Sequence, residues 1–374
     1  MTRIFKSFLQ AGFECSTHKL ENGRRLDLVS STRHDIFVER DFARLRELGI
    51  RTVREGIRWT VIERRPGVMD FSSVMPFLKA AREQKIEIVW DLLHFGWPDH
   101  LDIFEASWID AFTSLSEEFA CLLKRESDAP WFVAPVNEIS FMAWAGGEAA
   151  FLNPFRHNCG AEIKAQLVSA FLGAAQALRS KLPGVKIVSP EPVIHIVGRP
   201  EVDGDDIAAE RYRTSMFQSW DMLTGRLHPE LGGGEKTLDV IGVNYYNNNQ
   251  WVNFGRTIWL GDSQYRPFRE ILAEVWNRYH LPLFVAETGT ENEGRPDWFR
   301  YIAGEVHAAI DNGIPVEGLC LYPILNHPGW ADDRHCFNGL WDYASDSGDR
   351  EIYEPLAAEI RRQRDIFERQ LRNR

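Results

Sequence analysis

Two short apolar runs in this chain each end in a glutamate. The segment 131–140, WFVAPVNEIS, reads as a buried strand that delivers Asn137 and Glu138 side by side where it stops. The segment 282–290, PLFVAETGT, ends the same way in Glu287, with a turn-forming Gly289 just beyond. A carboxylate at the end of a buried strand is costly unless something uses it. If the two strand ends share one rim, Glu138 and Glu287 form the pair that glycoside hydrolysis requires: one protonates the departing oxygen and the other attacks or activates water. Taken singly, either glutamate would serve as well to cap a helix or to pair with an arginine. Two of them, with Asn137 adjoining, point to chemistry.

Bringing both ends to one rim takes parallel strands. Periodicity predicts strands over 5–13, 52–59, 86–93, 131–137, 185–189, 238–245, 283–286 and 316–322. Helices are predicted over 39–48, 72–84, 108–124, 161–182, 207–223, 267–279, 298–311 and 354–370, with a long loop over 139–160. Strict alternation implies parallel pairing, and eight units is the number at which the sheet closes into a (β/α)8 TIM barrel. Residues 1–374 show no linker and are expected to form a single catalytic domain. Active sites in this architecture lie at the C-terminal strand ends. Arg54, His94, Glu138, Tyr246, Glu287 and Trp330 all fall at or just after such ends. A doubly wound open sheet would need a Gly-rich first turn, and GFECS offers none.

Composition narrows the partners. The 374 residues carry a net charge of −11, which argues against nucleic acid or an anionic membrane surface as partner. There are 13 tryptophans, a residue suited to sugar faces, although most are expected to pack the core. The N-terminal stretch has no apolar core followed by a small-residue cleavage site, and no run of eighteen apolar residues occurs, so a cytoplasmic protein is expected. Cys15, Cys121, Cys159, Cys320 and Cys336 are scattered without CxxC spacing and are expected as reduced, mostly buried thiols. Asp91, His94, Glu191 and His195 lack HxH or HExxH spacing, so no metal site and no cofactor are expected.

At its strand ends the chain resembles the family 1 glycoside hydrolases. VREGIRW (53–59) is similar to the family's YRFSIAW, and LHFGWP (93–98) to its YHWDLP. VNE (136–138) is similar to its TNEP, IGVNYY (241–246) to its IGINYY, and AETG (286–289) to its TENG. The islands agree in order and in strand placement along nearly the whole chain. The resemblance implies Glu138 as general acid/base and Glu287 as nucleophile of a retaining β-glycosidase, their carboxyl groups about 5–5.5 Å apart. Arg54 and one of Tyr245 or Tyr246 would surround the nucleophile, Asn137 would donate to the sugar 2-hydroxyl, and His94 would hold a further hydroxyl.

The departures lie in the grip on the sugar. Where the family carries Gln followed by Glu-Gly after strand one, this chain has GFECSTH, leaving Glu14. Where an acidic residue precedes the tryptophan after strand eight, Gly329 precedes Trp330. The charged run Asp332, Asp333, Arg334, His335 is expected to overhang the pocket as a replacement, and Arg58, Arg199 and Arg334 are candidate cations for an acidic substrate. The resulting expectation is a shortened retaining glycosidase acting on a small β-linked glycoside of the β-glucosidase or β-galactosidase kind. Transfer of the sugar to another acceptor, or sugar binding without turnover on a decayed barrel, are the alternatives.

Overall fold

The computed structural model describes residues 3–372. Eight parallel strands close a barrel in sequential order: β1 (Leu9–Gly12), β2 (Thr52–Gly56), β3 (Glu87–Leu93), β4 (Phe132–Val136), β5 (Lys186–Pro192), β6 (Val240–Asn244), β7 (Leu283–Thr288) and β8 (Val316–Leu321). The (β/α)8 barrel expected from the alternation is thus the fold. Among the described residues, no helix is long and apolar enough to cross a membrane.

Alternation of side chains along each strand splits the apolar residues into two layers. Val89, Phe132, Ala134, Val188, Val240, Phe284 and Ala286 fill the barrel interior, while Trp90, Leu92, Val133, Ile187, Ile241 and Val285 face the surrounding helices. Phe5 was expected within the first strand. It instead plugs the bottom of the barrel, its ring 4.8 Å from Phe132 and 5.2 Å from Phe284, and β1 begins only at Leu9.

Three elements differ from expectation. The region 139–160 opens with a helix, Ile139–Gly147, whose sequence ISFMAWAGG shows no polar stripe because most of its circumference is covered. The fifth strand continues past Ser189 to Pro192 and so carries Glu191 to the rim. The helix expected over 207–223 is three pieces: Asp205–Thr214, a 3-10 turn Ser215–Phe217, and Gln218–Leu223.

One irregularity bears on the rim. Along β7 the pairing with β6 runs Val243 with Val285 but Asn244 with Glu287, so two residues of β7 oppose one of β6. A second register shift occurs between β7 and β8 at the same place, where Leu319 pairs Val285 and Leu321 pairs Thr288. Without this bulge the alternation that puts Ala286 inside would turn Glu287 toward the helices; with it, Glu287 faces into the barrel mouth.

All five cysteines are unpaired; Cys15, Cys320 and Cys336 are buried, Cys159 is half-buried and Cys121 is exposed.

Candidate active site

The rim is built around Arg54. It lies on β2, wholly buried, and its two terminal nitrogens serve four acceptors. Nη1 donates to Glu287 Oε1 at 2.8 Å and to the Ala286 carbonyl, at the bulge, at 3.0 Å. Nη2 donates to Asp91 Oδ2 at 2.6 Å and to Asn137 Oδ1 at 2.9 Å. The ring of Tyr322 lies 5.4 Å from the guanidinium carbon. Gly12 makes that position possible, because any Cβ on residue 12 would run into the Tyr322 ring.

The second oxygen of Glu287 accepts from Tyr246 Oη at 2.8 Å. Of the two candidate tyrosines it is therefore Tyr246 that meets Glu287. Tyr245 is buried in the wall, its hydroxyl bonded to Tyr265 and Gln250.

Glu138 sits where β4 turns into the helix Ile139–Gly147. Its backbone is left-handed, φ 49° and ψ 61°, a conformation that costs a side-chain-bearing residue about 1 kcal/mol or more. The turn is held by the Glu138 N–H donating to the Pro190 carbonyl at 3.0 Å and the Glu138 carbonyl accepting from Met142 at 2.9 Å. Its carboxyl accepts one hydrogen bond, from Asn244 Nδ2 at 2.8 Å. Burial, and then the charge of Glu287, push its pKa up to about 8 against the opposing Asn244 bond.

A cavity of about 950 Å³ opens over these groups. Glu14, His94, Glu138, Tyr246, Glu287 and Trp330 line it, and Arg54 and Asn137 sit behind its wall, bonded to each other. With its oxygen committed to Arg54, Asn137 keeps Nδ2 buried without a protein partner, a donor in need of an acceptor. The Glu14 carboxylate accepts from the Ser16 N–H at 2.9 Å and lies 4.0 Å from His94 Nε2. His94 is buried, its Nδ1 3.5 Å from Asp91 and its ring plane parallel to Tyr322. Trp330 is met edge-on by His18 at 4.7 Å between ring centroids.

The charged loop after β8 departs from expectation. Arg334 is paired with Glu291 at 2.6 Å, Asp333 with Arg24 at 2.9 Å and His335 with Asp342 at 2.8 Å, and none of Asp332, Asp333, Arg334 or His335 lines the cavity. These charges are exposed enough to find one another at the surface, and only Trp330 of that loop reaches inside. Arg58 and Arg199 are likewise spent, on Asp27 and Asp35 and on Asp205. The four residues weighed as a metal set do not assemble. Asp91 and His94 are neighbours, but Glu191 faces Ser140, whose N–H it accepts at 3.0 Å. The compact group among the described residues is Cys15, Asp91 and His94, with ligand atoms within 4.8 Å. Arg54 already neutralises Asp91 there, which disfavours a second cation.

One residue of the site escaped the sequence: Asn244, the partner of Glu138, lay inside the strand expected over 238–245 and is the last residue of β6, just before the tyrosine pair. Glu191, weighed only as a metal ligand, lies on β5, which was expected to stop at Ser189.

Comparison with known proteins agrees with this geometry in fold. No family model matches the chain. A β-galactosidase of Saccharolobus solfataricus is 27% identical over 202 residues, covering 43% of this chain and 41% of that one, so the match spans less than half the length of that relative. A family 1 β-glucosidase from Thermotoga maritima superimposes with a TM-score of 0.77 at 14% identity over 97% of this chain and 98% of its own. An enzyme from Alicyclobacillus herbarius, designated AHE, gives 0.78 at 18% identity over 96% and 99%. In fold, the chain is the closed eight-stranded (β/α)8 barrel that these proteins share.

Proposed function

We propose that the protein is a retaining glycoside hydrolase of the β-glucosidase or β-galactosidase kind, with Glu287 as nucleophile and Glu138 as acid/base. The observation that carries this reading is the opposite treatment of two carboxylates on one cavity. Glu287 receives a buried guanidinium on one oxygen and a tyrosine hydroxyl on the other, so both oxygens are held by donors. Glu138 has one neutral amide as partner and an environment that keeps its proton near neutral pH.

Glu287 attacks the anomeric carbon while Glu138 gives its proton to the glycosidic oxygen, and the aglycone leaves as an alcohol. Glu138, now a carboxylate, takes a proton from water as that water attacks the glycosyl-enzyme, releasing the sugar with its original configuration. Asn137 Nδ2 is the donor for the sugar 2-hydroxyl, and Glu14 and His94 are the groups for outer hydroxyls. No step in this scheme calls on a metal or cofactor. A cytoplasmic location fits five cysteines left unpaired.

The test is incubation with a panel of activated 2-deoxy-2-fluoro β-glycosides followed by intact-mass and peptide mapping. Fluorine slows both steps and the good leaving group restores the first, so a covalent adduct on Glu287 is expected. Sugar binding without an adduct or turnover from any member of the panel would instead favour a non-catalytic binder.

The acid role of Glu138 gives a pH prediction. The group must be protonated to act, so kcat/KM is expected to fall as pH rises through about 8 for substrates with poor leaving groups. Glu138→Ala is expected to lose about 10³-fold on those substrates and to lack that alkaline limb, while the first step on dinitrophenyl glycosides is slowed by less than about tenfold. An unchanged alkaline limb in the alanine variant would remove Glu138 from the role.

A further inference from the structure

The cavity is larger than the carboxylate pair needs, and its two ends differ in chemistry. One end holds Glu14, His94, Glu287 and Trp330. The other lies beyond Glu138, where the leaving group must go if Glu138 protonates it. Its walls come from Trp144 on the helix that follows Glu138, from Ile194, from Met216 and Met222 in the broken helical stretch, and from Trp251. Aromatic faces and methionine side chains make a slot suited to a flat, apolar group.

Lys164 interrupts this slot. It stands on the first turns of the helix Gly160–Lys181 and is the one lysine or arginine among the described residues that line the cavity. Its Nζ donates to Gln218 Oε1 at 2.8 Å, and no carboxylate of the described residues lies within 4.0 Å of it. That sets it apart from Arg58, Arg199 and Arg334, each of which already holds an acid. Lys164 is half-buried; burial pushes its pKa down and Glu191 pushes it back up. Glu191 is poor compensation, since burial raises its own pKa to about 7. Glu148, the other acid on this side, is turned to the Gly160 N–H at 2.9 Å.

We propose that the leaving-group end of the cavity takes an aromatic aglycone bearing a carboxylate, and that Lys164 is the specificity-determining residue that pairs with it. The assignment rests on the glycosidase reading only in calling this end the aglycone side; the cation in an apolar slot stands without it. An ammonium with two spare N–H donors in an apolar slot gains an ion pair and a charge-assisted hydrogen bond from such a ligand, and only a weaker hydrogen bond to the carbonyl of its neutral ester.

The experiment has two readouts on the full-length protein. The first is calorimetric binding of 4-hydroxybenzoate and of its methyl ester to wild type, Lys164→Met and Lys164→Arg. The second is kcat/KM on the β-glycosides of the same two phenols, with the sugar that labels fastest. Wild type is expected to favour the carboxylate over the ester by about tenfold or more, the weight of one charge-assisted hydrogen bond. Lys164→Met is expected to lose that preference, its kcat/KM falling more on the acid glycoside than on the ester glycoside, and Lys164→Arg to keep part of it. A carboxylate preference in binding that persists in Lys164→Met, or no preference in wild type, would overturn the proposal even if both glycosides are hydrolysed. Lysine-dependent binding of the free acid with no glycoside turned over would leave this proposal standing and remove the glycosidase reading.

Discussion

Glu287→Ala is expected to abolish glycoside turnover, with kcat down on the order of 10⁵-fold, the scale on which removing a covalent nucleophile acts. Both oxygens of Glu287 are already satisfied, by Arg54 and Tyr246, so the side chain is fixed before substrate arrives and little is spent in orienting it. Truncation leaves a gap beside the anomeric carbon lined by those two donors. A small anion such as azide fits that gap and is expected to restore turnover of activated β-glycosides, now with inversion, giving the α-glycosyl azide. Steady-state rates with and without azide, and the configuration of the product by NMR, check both parts. Residual activity above about a hundredth of wild type, or an azide product of unchanged configuration, would take the nucleophile's role away from Glu287.

Arg54→Met is expected to damage stability as well as activity. The guanidinium is wholly buried and bonds two carboxylates, a side-chain amide and a backbone carbonyl. Its removal leaves Glu287 buried without its cation and Asp91 with only His94 beside it, a change that costs about 3–5 kcal/mol when one member of a buried ionic set is deleted. A loss of about 10³-fold in kcat/KM is expected alongside, because Glu287 loses the contact that aims it and the rim loses the buried cation beside the reacting carbon. Arg54→Lys keeps a charge but has one nitrogen where the native residue uses two, so it is expected to recover part of the stability and little of the rate. Denaturant unfolding curves beside kinetics test this. A methionine variant that unfolds within about 1 kcal/mol of wild type would mean that the network does not hold the rim.

In the proposed reaction Glu287 and Arg54 serve bond cleavage at the strand ends, whereas Lys164, proposed to select the leaving group, sits on a helix outside them.

The amino-acid sequence alone determined the barrel, because short apolar runs alternating with amphipathic helices have one economical way to bury both faces of a parallel sheet. It also determined which side chains stand at the strand ends, since His94, Glu138, Tyr246 and Glu287 follow from where the apolar runs stop, with Arg54 inside its strand. Tertiary structure decided which way they point and whom they meet. The alternation along β7 would send Glu287 outward; the bulge between Val285 and Glu287 exists only through pairing with β6 and β8, and it turns the carboxylate inward. The choice of Tyr246 over Tyr245, the bond from Asn244 to Glu138 and the four acceptors of Arg54 join residues that are neighbours only once the barrel has closed. The charged run at 332–335 looked like a substitute clamp, yet its members pair with Arg24, Glu291 and Asp342, because solvent-exposed charges on one loop reach surface partners more readily than a cavity floor. Lys164 was one lysine on an amphipathic helix until the fold placed it on the same cavity as Trp144, Met216 and Met222. Periodicity records only which side of a helix is apolar, whereas the lining of a cavity depends on what packs against that side.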